Sequence, residues 1–592
     1  MVEKNYQKGG GFLLAAGLAA EIFTPEDFTA EQRMIAKTTE DFVRHEVWPK
    51  LDQIEAQAEG VSKTLMLQAA DLGLLMADIP QAFGGMGLDK ASSALITEKM
   101  GMAGSFSVTH AAHTGIATLP IVFYGNPQQK EKYLPGLAEG KIGAYCLTEP
   151  GSGSDALAAK TSATLSEDGK YYRLNGTKQF ITNAKWAETF IVFAKVEGRK
   201  FSAFIVERGM PGVAIAPEEL KLGIKGSSTA ALILDEVKVP VENLLGEVGK
   251  GHLIAFNILN IGRYKLGAGV IGAAKLALEY AVKYAVERKQ FKQSLSEFGL
   301  IRKKIALMAS RIYVAESLVY RTVGLIDNIL EGVKDSAAES SQQILKGIEE
   351  YAIECSMAKV YGSEMVDYVV DESLQIFGGY GYSQEYPIER LYRDARINRI
   401  FEGTSEINRL LIPGMLLRRA LQGDLPLLRI LENLKEEVEE NFYQTETSGL
   451  TVGQPGWYRE KLENARKAVL MTAGLTVEKH LKDLSEQQEL LALLADMIME
   501  YYALESALLR WEKGVFAESD WRSQALLTYF PAAMARLRGW GREVLGAVLA
   551  PAQLAHKLTA FEYFLELTPF DTIRVRDLLA ENVFSGRGYP HL

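Results

Sequence analysis

The feature that most limits the fold is a change of hydrophobic period in mid-chain. Before about residue 143 apolar residues recur at helical spacing; from Tyr145 to about Gly251 they alternate; after Gly251 helical spacing returns. The alternating block holds YYRLNGTKQFIT, ETFIVFAKV, FSAFIVER and TAALILDEVKV, each a strand candidate. Asn175-Gly176 stands between two alternating runs and predicts a type I′ hairpin turn. The expected fold class is mainly α with a central β domain.

The flanking blocks carry helix punctuation. Thr24-Pro25-Glu26 offers an N-cap followed by Pro, and Thr29-x-x-Gln32 reads as a capping box. Ala36–Val47 and Ser62–Leu74 repeat at helical spacing, and the glycines of Phe83–Gly87 mark a loop. Beyond the β block, Val270, Ala274, Ala277, Ala281 and Tyr284 form a packing stripe. Further helices are expected over Leu300–Glu331, Ser336–Val370 and Leu374–Phe377. Gly423-Asp424-Leu425-Pro426 reads as a linker, and Gln444–Trp457 as a polar loop. Helical repeats then resume with Leu462, Ala465 and Val469, and with Leu490, Leu494, Met497, Tyr501 and Leu504. The expected division is an arm over 1–23, a helical domain over 24–143, a β domain over 144–250, a second helical domain over 251–420 and a helical extension over 429–592.

Composition narrows the class of function. A net charge of −10 argues against a nucleic-acid binder. Two cysteines, Cys146 and Cys355, exclude a disulfide framework and a Cys-rich metal site, and point to a reducing, cytoplasmic setting. Lys4, Lys8 and the apolar run Phe12–Ala20 imitate a signal peptide. That run is too short to span a bilayer and reads as an arm packed on the body. His110 and His113 stand at i, i+3 without a carboxylate companion, so helix packing is favoured over a metal site.

Glu402 is the chemically suggestive carboxylate. It lies in YRDARINRIFEGTSEINRL, between an apolar, basic run and a new helical period, with Gly403 in the turn and Thr404 or Ser405 as cap. Beside Ile400 and Phe401 it suits a general base whose pKa is raised by desolvation. The competing reading is a surface Glu at a helix N-terminus. In Tyr145–Ser154, Thr148 supplies a hydroxyl and the Gly151–Ser154 turn supplies backbone N–H groups for a phosphate or ring edge; a flexible loop reads equally well.

The segment FEGTSEI after YRDARI resembles the active-site segment of the acyl-CoA dehydrogenases. The IPQAFGGMGL loop, the TEPGSGSD string ending at Asp155, FITN at Phe180–Asn183, ERKQF at Glu287–Phe291 and QIFGGYG at Gln375–Gly381 resemble further motifs of that family, in its order. The resemblance implies a helical bundle, a β-barrel-like domain and a second helical bundle, here with an extra C-terminal helical domain typical of the very-long-chain branch. It implies Glu402 as the base that takes the C2 proton of an acyl-CoA while the β-hydrogen leaves as hydride to N5 of FAD.

Cofactor contacts are implied at Tyr145, Leu147, Thr148, Gly153, Ser154, Phe180, Thr182, Arg288, Phe291, Gln375, Gly379 and Thr404. Substrate contacts are implied at Ser154, Asn260, Arg263 and Gly403. Arg288 and Phe291 would reach a partner protomer's FAD, so a homodimer or larger assembly is expected, with electron-transfer flavoprotein as the electron acceptor. Phe180 departs from the family's Trp and loses the indole N–H. Gly262 stands where some branches place the base, and it cannot serve. The expected activity is dehydrogenation of a long-chain acyl-CoA to the trans-2-enoyl-CoA, the first step of β-oxidation. An acyl-CoA oxidase using O₂ and a catalytically quiet scaffold remain as alternatives. The extension is read as core packing, with peripheral membrane contact as an alternative.

Overall fold

A computed structural model describes residues 7–334, 341–440 and 450–590. The early helices start as their caps require. The Thr29 hydroxyl accepts the Gln32 N–H at 3.1 Å, and the Gln32 side chain accepts the Thr29 N–H at 3.0 Å, opening the helix Ala30–Phe42. Thr24 and Asp27 form a second reciprocal box around Pro25.

Eight strands make the central layer: β1 (Gly143–Cys146), β2 (Ser162–Leu165), β3 (Tyr171–Thr182), β4 (Thr189–Val196), β5 (Lys200–Glu207), β6 (Val213–Glu218), β7 (Thr229–Pro240) and β8 (Leu244–Leu245). Their order is β6-β7-β3-β2-β4-β5-β8, and β1 joins β4 in parallel. β4 therefore holds β1 through residues 189–192 and β2 through residues 195 and 196.

Asn175-Gly176 is not a hairpin turn. β3 runs through it unbroken, antiparallel to β7, with a register shift between Leu174 and Gly176. The glycine is needed because a Cβ there would sit 2.5 Å from Thr161 Oγ1. Asn175 reaches across instead, and its Oδ1 accepts the Glu236 N–H at 2.8 Å. A β-bulge draws on the same residue types as a tight turn, which is why the local signal misled.

The helix Gly251–Glu287 is the spine of the second helical body. Val270, Ala274, Ala277 and Ala281 are buried, as their spacing predicts. Glycines let neighbouring backbones close in. A Cβ on Gly272 would lie 1.8 Å from Glu98 O, and one on Gly267 would lie 3.0 Å from Ala358 O. Gly299–Lys334 agrees with the expected helix. The single helix expected over Ser336–Val370 is instead Ser341–Glu350 followed by Ala352–Phe377, broken at Tyr351; Ser336 lies outside the described residues. Leu374–Phe377 is the last turn of the second piece, because the period runs on unbroken to Gly378.

The later helices are Leu427–Glu440, Pro455–His480, Gln488–Gly514, Trp521–Val548, Pro551–Phe564 and Thr572–Ser585. The polar loop expected over Gln444–Trp457 ends early. Pro455 occupies the first helical turn and Trp457 is buried within it, while Gln444–Gly449 lie outside the described residues. Helices of this region pack on Gly299–Lys334 and join it through buried ions. Arg510 Nη1 meets Glu316 at 2.7 Å, and Arg321 meets Glu505 at 2.7 Å.

The arm packs on the body as expected. Phe12 is buried against Tyr502, ring centroids 4.7 Å apart, and the Gly9 and Gly10 N–H groups donate to Glu350 and Glu354. Lys4 lies outside the described residues. Among the described residues no helix is long and apolar enough to cross a membrane.

Candidate active site

Glu402 sits where the chain turns from the short helical turn Arg396–Arg399 into the helix Ser405–Gln422. Thr404 caps that helix, its Oγ1 accepting the Ile407 N–H at 3.3 Å. Gly403 has φ +80°, and Glu402 itself has φ +58°. A non-glycine residue in this region carries backbone strain of about 1–3 kcal/mol. The surroundings impose it: Arg263 Nε donates to Glu402 O at 3.4 Å, and Asn408 Nδ2 donates to Gly403 O at 2.9 Å.

The strained turn aims the carboxylate inward. Its Oε2 is sealed from solvent and has no hydrogen-bond partner. Burial pushes the Glu402 pKa up to about 7, against the opposing pull of Arg263 and Lys359. Gly262 makes room, since a Cβ there would lie 2.6 Å from Glu402 Oε2. One position thus both carries no side chain and admits the carboxylate from the turn before Ser405.

Glu402 lines a cavity that opens to solvent. Thr182 from the β layer lines it too, as do Phe401 and Ile397 beside the carboxylate. Much of the remaining wall is apolar or small, among it Met100, Gly104, Val108, Leu266 and Val270, with Lys265 and Asn398 as polar members. His110 also faces it. Burial pushes His110 down to about 3 and His113 down to about 4, so both rings are neutral. His110 Nε2 pairs with Leu74 O at 3.0 Å; His113 pairs with Leu137 O at 3.1 Å and accepts the Gly143 N–H at 3.1 Å.

Two of the sequence segments meet at the β layer. Gln179 N donates to Thr148 O at 2.8 Å, and the buried Lys178 ammonium bridges Leu147 O and Glu149. Tyr145 is buried, while Gly153 and Ser154 are exposed on the adjoining turn. Phe180 is 60% exposed at φ +57°, where the β3–β7 register shifts. Asn183 is buried and donates to Thr109 O at 3.0 Å.

Asn260 and Arg263 are buried in the wall behind Glu402, with Arg263 Nη1 2.9 Å from Asn260 Oδ1 and 3.5 Å from Ser356 Oγ. Arg288, Phe291, Gln375 and Gly379 lie elsewhere. All four are exposed and none lines the cavity. Arg288 stacks over Tyr380 at 5.4 Å, and Phe291 tips a tight hairpin with Lys292, both at positive φ.

Sequence reasoning missed Lys359 and Asp394. Lys359 is fully buried with Nζ unpartnered, and Asp394 lines the cavity with Oδ2 unpartnered. Burial pushes Asp394 up to about 7. Asp394 gave no signal, since it stands among Arg390, Arg393 and Arg396 as a surface acid would.

Fold and site together define an α–β–α protein with a sealed carboxylate oxygen on a largely apolar cavity. Sequence profiles for the N-terminal, middle and C-terminal domains of acyl-CoA dehydrogenase match residues 29–141, 144–237 and 249–416; another, also described as acyl-CoA dehydrogenase, C-terminal domain, matches residues 464–561. The chain belongs to the acyl-CoA dehydrogenase family. It is 50% identical to a probable acyl-CoA dehydrogenase of Bacillus subtilis over 99% of both chains. It is 37% identical to the human mitochondrial very long-chain specific acyl-CoA dehydrogenase, over 78% of this chain and 67% of that one. The crystal structure of an acyl-CoA dehydrogenase complexed with FAD from Bacillus anthracis superimposes with a TM-score of 0.95 at 49% identity, covering 98% of this chain and 99% of that one.

Proposed function

We propose that the protein dehydrogenates long-chain acyl-CoA thioesters at C2–C3 with FAD as cofactor, Glu402 being the base. The observation that carries this reading is Glu402 Oε2, sealed and unpartnered, on a cavity that Thr182 of a flavin-like segment also lines. The residues fit a flavin. The Gly151 and Gly153 turn leaves open space where a Cβ would stand, and Thr148 lies beside it. When bound, FAD supplies the acceptor for the β-hydrogen and its electron pair.

The chain's own residues do the rest. Glu402, with a pKa near 7, is ionised in an appreciable fraction at neutral pH and can take the weakly acidic C2 proton. Its backbone N–H and Gly403 stand at the strained turn, placed to donate to the thioester oxygen. One such donor is worth about 2.7–4 kcal/mol. The long-chain reading rests on the small residues Gly101, Gly104, Ala111 and Ala273 in the cavity walls. The exposed patch of Arg288, Phe291, Gln375 and Gly379 is read as completing the cofactor site of a second copy, in a homodimer or larger assembly. Electrons then pass to an electron-transfer flavoprotein.

The purified protein is expected to be yellow and to bleach anaerobically with acyl-CoAs of increasing length. Glu402→Gln keeps the colour and slows bleaching by roughly 10²–10⁴-fold. An unchanged bleaching rate would remove Glu402 from the mechanism. Hydrogen peroxide formed in step with turnover would make the protein an oxidase instead.

A further inference from the structure

We infer that Lys359 is a positioning residue for Glu402, a buried cation that keeps the base ionised from the side away from the cavity. The inference rests on the reading of Glu402 given above. Lys359 lies on the helix Ala352–Phe377, one turn beyond Ser356, whose hydroxyl meets Arg263; Arg263 in turn holds the Glu402 carbonyl. The Lys359 side chain is fully buried and its Nζ has no hydrogen-bond partner. A buried ammonium without a hydrogen-bond partner is costly, and burial pushes Lys359 down to about 8, which leaves it charged at neutral pH and below.

The charges that face Lys359 are Glu402, Arg263, Glu364 and Glu406. Glu364 is held in a fork by Arg409 at 2.7 and 2.9 Å, and Glu406 faces solvent. Arg263 repels the ammonium. Glu402 is therefore the carboxylate left to balance it. Seen from Glu402, the facing groups are Arg263, Lys359 and the phenol of Tyr145, which burial and then the carboxylate push up. Arg263, the stronger of the two cations acting on Glu402, is bonded to the Asn260 side chain and the Glu402 main chain, and Lys359, without a hydrogen bond of its own, adds positive charge to it. An opposite charge close to a buried carboxylate favours its ionised form. Lys359 thereby opposes the desolvation that would otherwise leave the base protonated and idle. It touches neither substrate nor cofactor and acts through Glu402.

The test is the acid limb of kcat/KM, which reports the base in the free enzyme. Lys359→Met keeps an unbranched apolar stem without the charge, and Lys359→Gln is a second neutral variant should the first fail to fold. Each is expected to move the acid limb up by about one pH unit, a roughly tenfold loss well below the limb, with recovery above it. Lys359→Arg restores the limb toward the wild-type position. Acid limbs that coincide with wild type in the neutral variants overturn the proposal, even if their melting temperatures fall, because a purely structural lysine changes stability alone. Glu402→Gln in the same assay separates the two failures. If it is as fast as wild type, the base assignment is wrong; if it is slow while the neutral Lys359 variants keep the wild-type limb, the Lys359 inference alone falls.

Discussion

Two charged clusters hang on the same helix, Gly251–Glu287, and are built on opposite rules. Toward its C-terminal half, Lys275 lies between Glu98 and Glu316. All four carboxylate oxygens there have partners: Lys275 and Tyr320 on Glu98, and Lys275, Arg510 and Tyr589 on Glu316. Near its N-terminal half, Arg263 lies beside Glu402, whose Oε2 is unpaired, and near Lys359, whose Nζ is unpaired. Burial raises both carboxyls. Partner charges hold Glu316 down at about 2, whereas Glu402 stays up at about 7. A buried charge with every bond made is structure; one left short of partners can accept a proton.

Arg510→Met should give the largest effect. It leaves Glu316 and Glu26 without their guanidinium, and removing one partner of a buried pair typically costs about 3–5 kcal/mol. Denaturant unfolding reads this directly, and a loss below about 1 kcal/mol would mean that the two clusters do not differ in kind. Gly262→Ala comes next and sharpens the other half of the comparison. Its methyl would displace the Glu402 carboxylate, so flavin bleaching by acyl-CoA should slow by up to roughly 10²-fold while the melting temperature holds or rises. Bleaching at the wild-type rate would show that the carboxylate does not depend on that opening. Smallest is Thr404→Ala, which removes the cap of the helix after the base and should cost about 1 kcal/mol in thermal unfolding.

Much of this contrast was legible in the sequence, but unevenly. The block pattern of helix, strand and helix is a property of period, and the Thr29–Gln32 capping box forms from the residues that announced it, while the box that Asp27 completes with Thr24 went unread. Glu402 and Gly262 could be paired by motif. Their 2.6 Å relation could not, because it depends on how two helices cross. Lys359 was invisible for the same reason: within a helical run a lysine is presumed to face solvent, and its burial is decided by neighbours distant in the chain. Asn175-Gly176 failed in the opposite sense. The residues read as a turn between two strands, but β3 pairs with β7 on both sides of them and the irregularity is a bulge.

The arm has a consequence for how the molecule comes into being. Arg466 and Arg459 donate to the carbonyls of Leu13 and Gly17, and the Gly17 N–H donates to Glu505 at 2.9 Å. These partners lie 442 to 488 positions further along the chain, so during synthesis this part of the arm has no seat until they have emerged. It closes on the body like a latch once those partners are in place, and a bulky fusion placed directly before it would obstruct that movement.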